Sequence, residues 1–361
     1  MNYIIKYSAR YLVVCLFVSL TVLLCGCKAD FSPNAEWKDV PVVYCILDQD
    51  DSVSYVRVQR CYLGEGDLMR YGAVYDSVNY PADALDVMIL RWSDETQIGS
   101  YGAVPQDTLR FAYHIITDKV SGDFSYPNQP VYSRIRQQGD WVEGCVYQLV
   151  VKYKQTGEVL ARSQTRLVGD CEAATWLSRP HPSMVGRQFS FTKDRNFQLE
   201  WYPFVLGRRY QLIVNFLYRY EYDHPEVLHR IPTSCSSVSS NMTESVLTTS
   251  LSHGAYLSNI ESVLRGDTAT KRFVDTVEVM MSVCNEPLHA YLNAISASAQ
   301  AMQEQNQMYS NIEGGAGVFG ARRSHLLLRC PTDRSSNGPY GMRYLIDQLK
   351  LNFVFTENRR D

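Results

Sequence analysis

Apolar and polar residues alternate along much of the chain, with the period of two that a strand with one buried face requires. Val42 to Leu47 (VVYCIL) is a short run of β-forming residues that stops at Asp48-Gln49-Asp50-Asp51. In the following Tyr55 to Arg60, Val56 and Val58 share one face while Arg57 and Gln59 share the other. Two such runs about an acidic turn predict a hairpin. Leu85 to Trp92 predicts a further strand, and Cys145 to Tyr153 with Val159 to Thr165 predicts a second hairpin about Gln155-Thr156-Gly157. No regular alternation of strand and helix is visible, which argues against a doubly wound parallel sheet. Residues 41–169 are therefore expected to form an Ig-like β-sandwich.

Residues 170–187 lose this pattern and contain Pro180 and Pro182, which predicts a linker. Strand patterning resumes at Phe189 to Phe191, Phe197 to Trp201 and Tyr210 to Tyr222. The last of these is two-sided, with Leu212, Val214, Phe216 and Tyr218 on one face and Ile213, Asn215, Leu217 and Arg219 on the other. Helical spacing then appears twice. Tyr256, Leu257, Ile260, Val263 and Leu264 form a stripe before Gly266. Asn285-Glu286-Pro287 opens a second helix, whose stripe continues through Leu288, Tyr291, Leu292 and Ile295. Strands return at His325 to Cys330 and Leu349 to Phe355. Residues 188–361 thus read as a second β-rich domain with inserted helices (α+β), and the whole chain as mainly β. Its 361 residues fit two domains.

The N-terminus predicts the compartment. Lys6 and Arg10 precede Tyr11 to Leu24, a 14-residue apolar run. A membrane-spanning helix needs about 20 residues and a secretory core roughly 7–15. The end of the run, Leu24-Cys25-Gly26-Cys27, resembles a lipobox. That resemblance implies that residues 1–26 are a signal peptide and that Cys27 is acylated as the first mature residue. Acyl chains hold a protein on a bilayer at about 0.8 kcal/mol per buried CH₂. Residues 27–40 are polar, carry Pro33, and read as a tether. Lys28 rather than Asp follows Cys27, so outer-membrane location is expected, with the periplasmic and outward faces both open. Seven other cysteines remain, Cys45, Cys61, Cys145, Cys171, Cys235, Cys284 and Cys330, an odd set without metal-site spacing.

Composition narrows the chemistry. A net charge of -3 offers no electrostatic ground for nucleic-acid binding. Tyrosine, at 25 residues against 13 Phe and 5 Trp, suits sheets and hydrated surfaces. Gly315-Ala316-Gly317-Val318-Phe319-Gly320 matches GxGxxG, but that motif binds dinucleotides only between a strand and a helix. Here the glycines read as a loop with positive φ or close backbone packing, anchored by Ile312 and Phe319. Arg322 and Arg323 beside Gly315 and Gly317 are the candidate interaction surface.

Glu221, Asp223, His224, Glu226 and His229 are the densest run of metal-ligand types, but their spacing is that of a surface loop. Asp48, Asp50 and Asp51 lack the Gly and distal Glu of an EF-hand. There is no GxSxG elbow, and carboxylates such as Glu143, Glu200 and Glu221 show no pairing in sequence; Glu200-Trp201 reads equally as a sugar-facing acid or a core strand end. Gln300 to Met308 reads as the solvated end of the preceding helix. No catalytic residue, metal or cofactor is assigned.

The lipobox, VVYCILDQDDSVSYVRVQR, YQLVVKYKQTGEVLARSQT and the tail YSNIEGGAGVFGARR occur in this order. Together they resemble a family of Bacteroidota outer-membrane lipoproteins built on a domain of unknown function, the tail being the specific part. The resemblance implies an envelope location and an association with TonB-dependent outer-membrane receptors, and brings no catalytic residues. The expected function is a non-enzymatic envelope lipoprotein that binds a partner protein or ligand, as an accessory subunit of such a receptor. The alternatives are an adhesive or structural surface module, or a surface hydrolase of glycans or peptides. Ligand, partner and disulfide pairing are not legible.

Overall fold

A computed structural model describes residues 39–61, 74–117, 128–170, 196–224, 226–241, 243, 246–268, 271–300, 309–331 and 350–354. Strand makes up 49% of the description and helix 14%, so the protein is mainly β. The N-terminal half holds β1 (Pro41–Asp48), β2 (Val53–Arg60), the one-turn α1 (Tyr75–Val78), β3 (Leu85–Trp92), β4 (Asp107–Ile116), β5 (Gln129–Ile135), β6 (Val146–Tyr153) and β7 (Val159–Arg166). The C-terminal half holds β8 (Phe197–Trp201), β9 (Arg209–Tyr220), β10 (His229–Ser234), β11 (Val238–Ser239) and β12 (Leu247–Leu251). These are followed by α2 (His253–Leu264), β13 (Arg272–Cys284), α3 (Glu286–Gln300), β14 (Ala316–Pro331) and β15 (Phe353–Val354).

Both expected hairpins form. β1 and β2 pair antiparallel from Pro41–Arg60 to Cys45–Val56, and β6 and β7 pair from Val146–Arg166 inward. β4 belongs to two layers. Its first half, Asp107 to Phe111, pairs with β3, and its second half, Ala112 to Ile116, pairs with β5. The ladder β1-β2-β5-β4 thereby folds over onto β4-β3-β6-β7. Val43, Cys45, Leu47, Val56 and Val58 of one layer share a core with Leu85, Val87, Ile89, Leu149 and Val151 of the other. Burying each such side chain contributes about 1.5–3 kcal/mol.

The C-terminal half has its own core, in which Val214, Phe216 and Tyr218 of β9 and Val277, Val279 and Met281 of β13 pack against Tyr256, Leu257, Ile260 and Leu264 of α2. Ser252 caps α2 by accepting from the Ala255 N–H at 3.1 Å. Val263, expected on the buried stripe, lies at its margin and is exposed. On α3, Leu288 is buried and Tyr291 meets Tyr44 edge-on, while Ile295 turns to solvent.

The two halves share one strand. β14 pairs parallel with β1 from Val42–Ala316 to Asp48–Arg322, then antiparallel with β13 from Cys284–Arg322 to Thr276–Pro331. The sheet therefore runs β10-β9-β13-β14-β1-β2-β5-β4-β3-β6-β7 without interruption. The N-terminal sandwich takes a strand from the far end of the chain, and Ile312, Phe319 and Ala321 complete its core. The Gly-rich segment, expected as a loop before a strand at His325, is itself strand from Ala316 onward. The expected signal peptide, most of the expected tether and of the expected 170–187 linker, the strand expected at Phe189 to Phe191, and residues 301–308 lie outside the described residues.

Candidate functional site

The tail motif closes the open seam between β7 and β14. Glu313 and Arg162 exchange backbone hydrogen bonds of 2.7 and 3.0 Å, and Ser163 Oγ donates to the Asn311 carbonyl at 2.6 Å. Ile312 is buried between them. On β14, Phe319 turns its N–H and C=O away from β1, and the Asn311 carboxamide takes both: Nδ2 donates to the carbonyl at 2.8 Å and Oδ1 accepts from the N–H at 2.9 Å. Two residues on, Ala321 faces the same way and is met by Asn285. The Asn285 Oδ1 accepts from the Ala321 N–H, and the Asn285 N–H donates to the Ala321 carbonyl, each at 3.0 Å. The Asn285 Nδ2 also reaches Thr165 Oγ1 and the Arg166 carbonyl, tying β7 to the start of α3. Asn311 through its side chain, and Asn285 through its side chain and backbone N–H, thus continue a ladder until β13 takes over at Arg322.

The glycines follow from this crowding. A Cβ at Gly317, whose φ is +115°, would lie 2.0 Å from the Val43 carbonyl oxygen, and one at Gly315 would lie 2.4 Å from that of Pro41. These two members of the candidate surface face backbone, and the GxGxxG match runs into a strand with no helix after it. Its geometry is not the strand–loop–helix that cradles a pyrophosphate.

Arg322 and Arg323 are successive strand residues and point to opposite faces, so they do not form one anion site. Arg322 pairs with Asp48 at 2.7 Å and Asp51 at 3.4 Å; Arg323 pairs with Glu143 at 2.8 Å and Asp170 at 3.4 Å. Asp48 has 1% of its side chain exposed, and the guanidinium beside it offsets that burial. Glu143 is thereby engaged by Arg323 and Glu221 by Lys271 at 2.9 Å. Trp201 is buried against Tyr210 in the C-terminal core, so this indole faces no ligand. Cys45, Cys145, Cys235 and Cys284 are buried free thiols, and Cys61 is an exposed one. Burial pushes the Cys235 and Cys284 thiols up to about 11.

The run from Glu221 to His229 forms a corner at the end of β9, and among the described residues no group of three or more His, Cys, Asp and Glu is placed to hold an ion. Asp223 Oδ2 accepts from the Tyr220 N–H at 2.8 Å and lies 2.9 Å from His229 Nε2. His229 sits 4.8 Å from the Tyr220 ring and 5.4 Å from that of Tyr218. Tyr222, three-quarters exposed, stacks on Tyr220 at 5.3 Å and 3°. The Tyr220 hydroxyl donates to Asp267, which also holds the fully buried Arg272 at 2.9 Å. The sequence signal for this corner was the Tyr-rich alternation of β9, but its assembly with Asp267 and Arg272 depends on pairing across forty residues and more.

Asp39, two residues before β1, is gripped by three side chains. Its two carboxylate oxygens accept from the Tyr80 and Tyr153 hydroxyls, and Arg60 lies 3.7 Å away. Among the described residues no helix is long and apolar enough to cross a membrane. No protein-family model matches the chain, and no curated protein matches it.

Proposed function

We propose that the protein is an outer-membrane lipoprotein, acylated at Cys27, that has no catalytic activity of its own. In this reading it binds a partner protein or ligand at the envelope, as an accessory subunit of a TonB-dependent receptor. The observation that carries the reading is the Asp39 clamp. A lipid-anchored domain needs a firm attachment at the root of its leash, and Asp39 is fastened by two tyrosines and faced by an arginine immediately before β1. Between Cys27 and this clamp the chain can reach roughly 40 Å when extended. The ion pairs made by Glu143 and Glu221 support a binding rather than a hydrolytic role, since both carboxylates are occupied by cations.

The test is metabolic labelling with an alkynyl fatty acid, followed by affinity purification from mildly solubilised envelopes and mass spectrometry, with Cys27→Ala alongside. Labelling of the wild type alone, with recovery of a large outer-membrane β-barrel, is expected. Labelling that survives Cys27→Ala would remove the lipoprotein assignment; a labelled protein that recovers no barrel would remove the receptor role.

A further inference from the structure

β1, β2 and β5 bury one face in the sandwich core through Val43, Cys45, Val56, Val58 and Tyr132. By alternation, Tyr44, Ile46, Tyr55, Arg57 and Ile135 stand on the other face. α3 covers the β14 side of that face: Leu288 packs on Gly320, and Tyr291 meets the Tyr44 ring at 6.0 Å. Toward β5 the face is open among the described residues, and Ile46, Tyr55 and Ile135 are exposed.

Arg57 lies at this margin, opposite Tyr44 across the β1–β2 pairing. The residue is partly buried and its Nε is inaccessible and unbonded. Among the described residues no ion pair reaches its guanidinium. Burial lowers its pKa, and the Tyr44 hydroxyl acts in the other direction. Arg91, Arg272 and Arg323 also have an unbonded Nε, but a carboxylate holds each of them through a terminal nitrogen. The carboxylates flanking β1 are engaged elsewhere, Asp48 with Arg322 and Asp39 with Tyr80 and Tyr153.

A partly desolvated cation without a counter-charge costs the fold free energy and gives nothing back to it. A docking carboxylate offsets that cost, and less desolvation remains to be done when it arrives. The guanidinium is a planar fork that accepts a carboxylate through two parallel hydrogen bonds. Around it the face is apolar and tyrosine-bearing, and Arg and Tyr together are the residues that dominate binding at the centres of protein interfaces.

We propose that the open face of β1, β2 and β5 docks a partner protein, which covers Ile46, Tyr55 and Ile135 and presents an Asp or Glu side chain to Arg57. This deepens the partner-binding role above and rests on that reading only for the existence of a protein partner.

The experiment is photocrosslinking of the full-length protein in intact cells, with p-benzoylphenylalanine placed at Tyr55 or at Ile135, and at Val263 on exposed α2 as the comparison. The two sandwich positions are expected to give one discrete adduct with a second protein, and mass spectrometry should place the crosslink beside an Asp or Glu. Arg57→Glu should reduce the adduct about tenfold or more, and changing the partner's acidic residue to Arg should restore it. Arg57→Met, which keeps the apolar stem, should reduce the adduct while leaving the thermal midpoint unchanged or higher. No protein adduct, an adduct with a second copy of this chain, an adduct indifferent to Arg57→Glu, no restoration by the charge exchange, or a lowered midpoint in Arg57→Met would each overturn the proposal. An adduct that meets every criterion with a protein other than an outer-membrane barrel would remove the receptor role and keep the docking face. A barrel that co-purifies equally with Arg57→Glu would keep the receptor role and remove the docking face.

Discussion

The Asn311 side chain and the Phe319 backbone, eight residues apart, exchange two hydrogen bonds of 2.8 and 2.9 Å, so a carboxamide stands in for a neighbouring strand. Phe319 is fully buried, and no solvent replaces the lost partner. Asn311→Ala should therefore cost about 1–3 kcal/mol, the usual penalty for orphaning buried polar groups. Asn311→Asp should also destabilise, because it turns a carboxylate oxygen toward the Phe319 carbonyl. Equilibrium urea unfolding measures both, and the midpoint should fall without a change in slope.

Glycine substitutions separate crowding from flexibility. Gly317→Ala places a methyl 2.0 Å from the Val43 carbonyl oxygen at a φ of +115°, and should abolish the β1–β14 pairing. Gly254→Ala, in the first turn of α2 with nothing within 4 Å, should be neutral or stabilise by up to about 1 kcal/mol. Soluble yield and thermal midpoint distinguish them; an equally tolerated Gly317→Ala would disprove the close packing.

The neighbouring arginines should behave differently. Arg322→Ala strands the nearly inaccessible Asp48 carboxylate and should cost about 3 kcal/mol or more. Arg323→Ala releases Glu143 and Asp170, each about half exposed, and should cost less than about 1 kcal/mol. Chemical denaturation of the two variants in parallel provides the comparison, and equal losses would contradict the assignment of faces.

Alkaline pH should unfold the sandwich early. Burial pushes the Tyr132, Tyr147 and Tyr153 hydroxyls up to about 12, with Asp39 reinforcing the last. A raised value in the folded state means that the neutral form is favoured there. Stability is then complete below about pH 10, where unfolded tyrosine also keeps its proton, and declines as pH rises toward 12. Thermal melts at intervals between pH 9 and 12 should show the midpoint falling from about pH 10 upward. Phenolate absorbance in the native protein should titrate in two phases.

The hairpins of β1–β2 and β6–β7 were legible because their alternation and their turns lie within twenty residues. The helices of α2 and α3 were legible for the same reason, apart from the margins at Val263 and Ile295, where packing rather than spacing decides exposure. β13 was not. Between Val274 and Val277 it carries a bulge against β9, which shifts the inward positions by one and breaks the period of two. β4 was hidden for another reason: its halves pair with different strands, so no single face is buried throughout.

Sequence alone determined the mainly β character, both local hairpins and the apolar stripes of α2 and α3, because each depends on neighbours within one or two turns of chain. Tertiary structure alone decided that β14 joins β1, that Arg322 and Arg323 part to opposite faces, and that Asn285 and Asn311 finish an open edge. It also brought Asp223, His229, Asp267 and Arg272 to the tyrosines at the end of β9. Those outcomes depend on register between strands far apart in sequence, which is set by mutual burial and by the hydrogen bonds that an open edge leaves unmet.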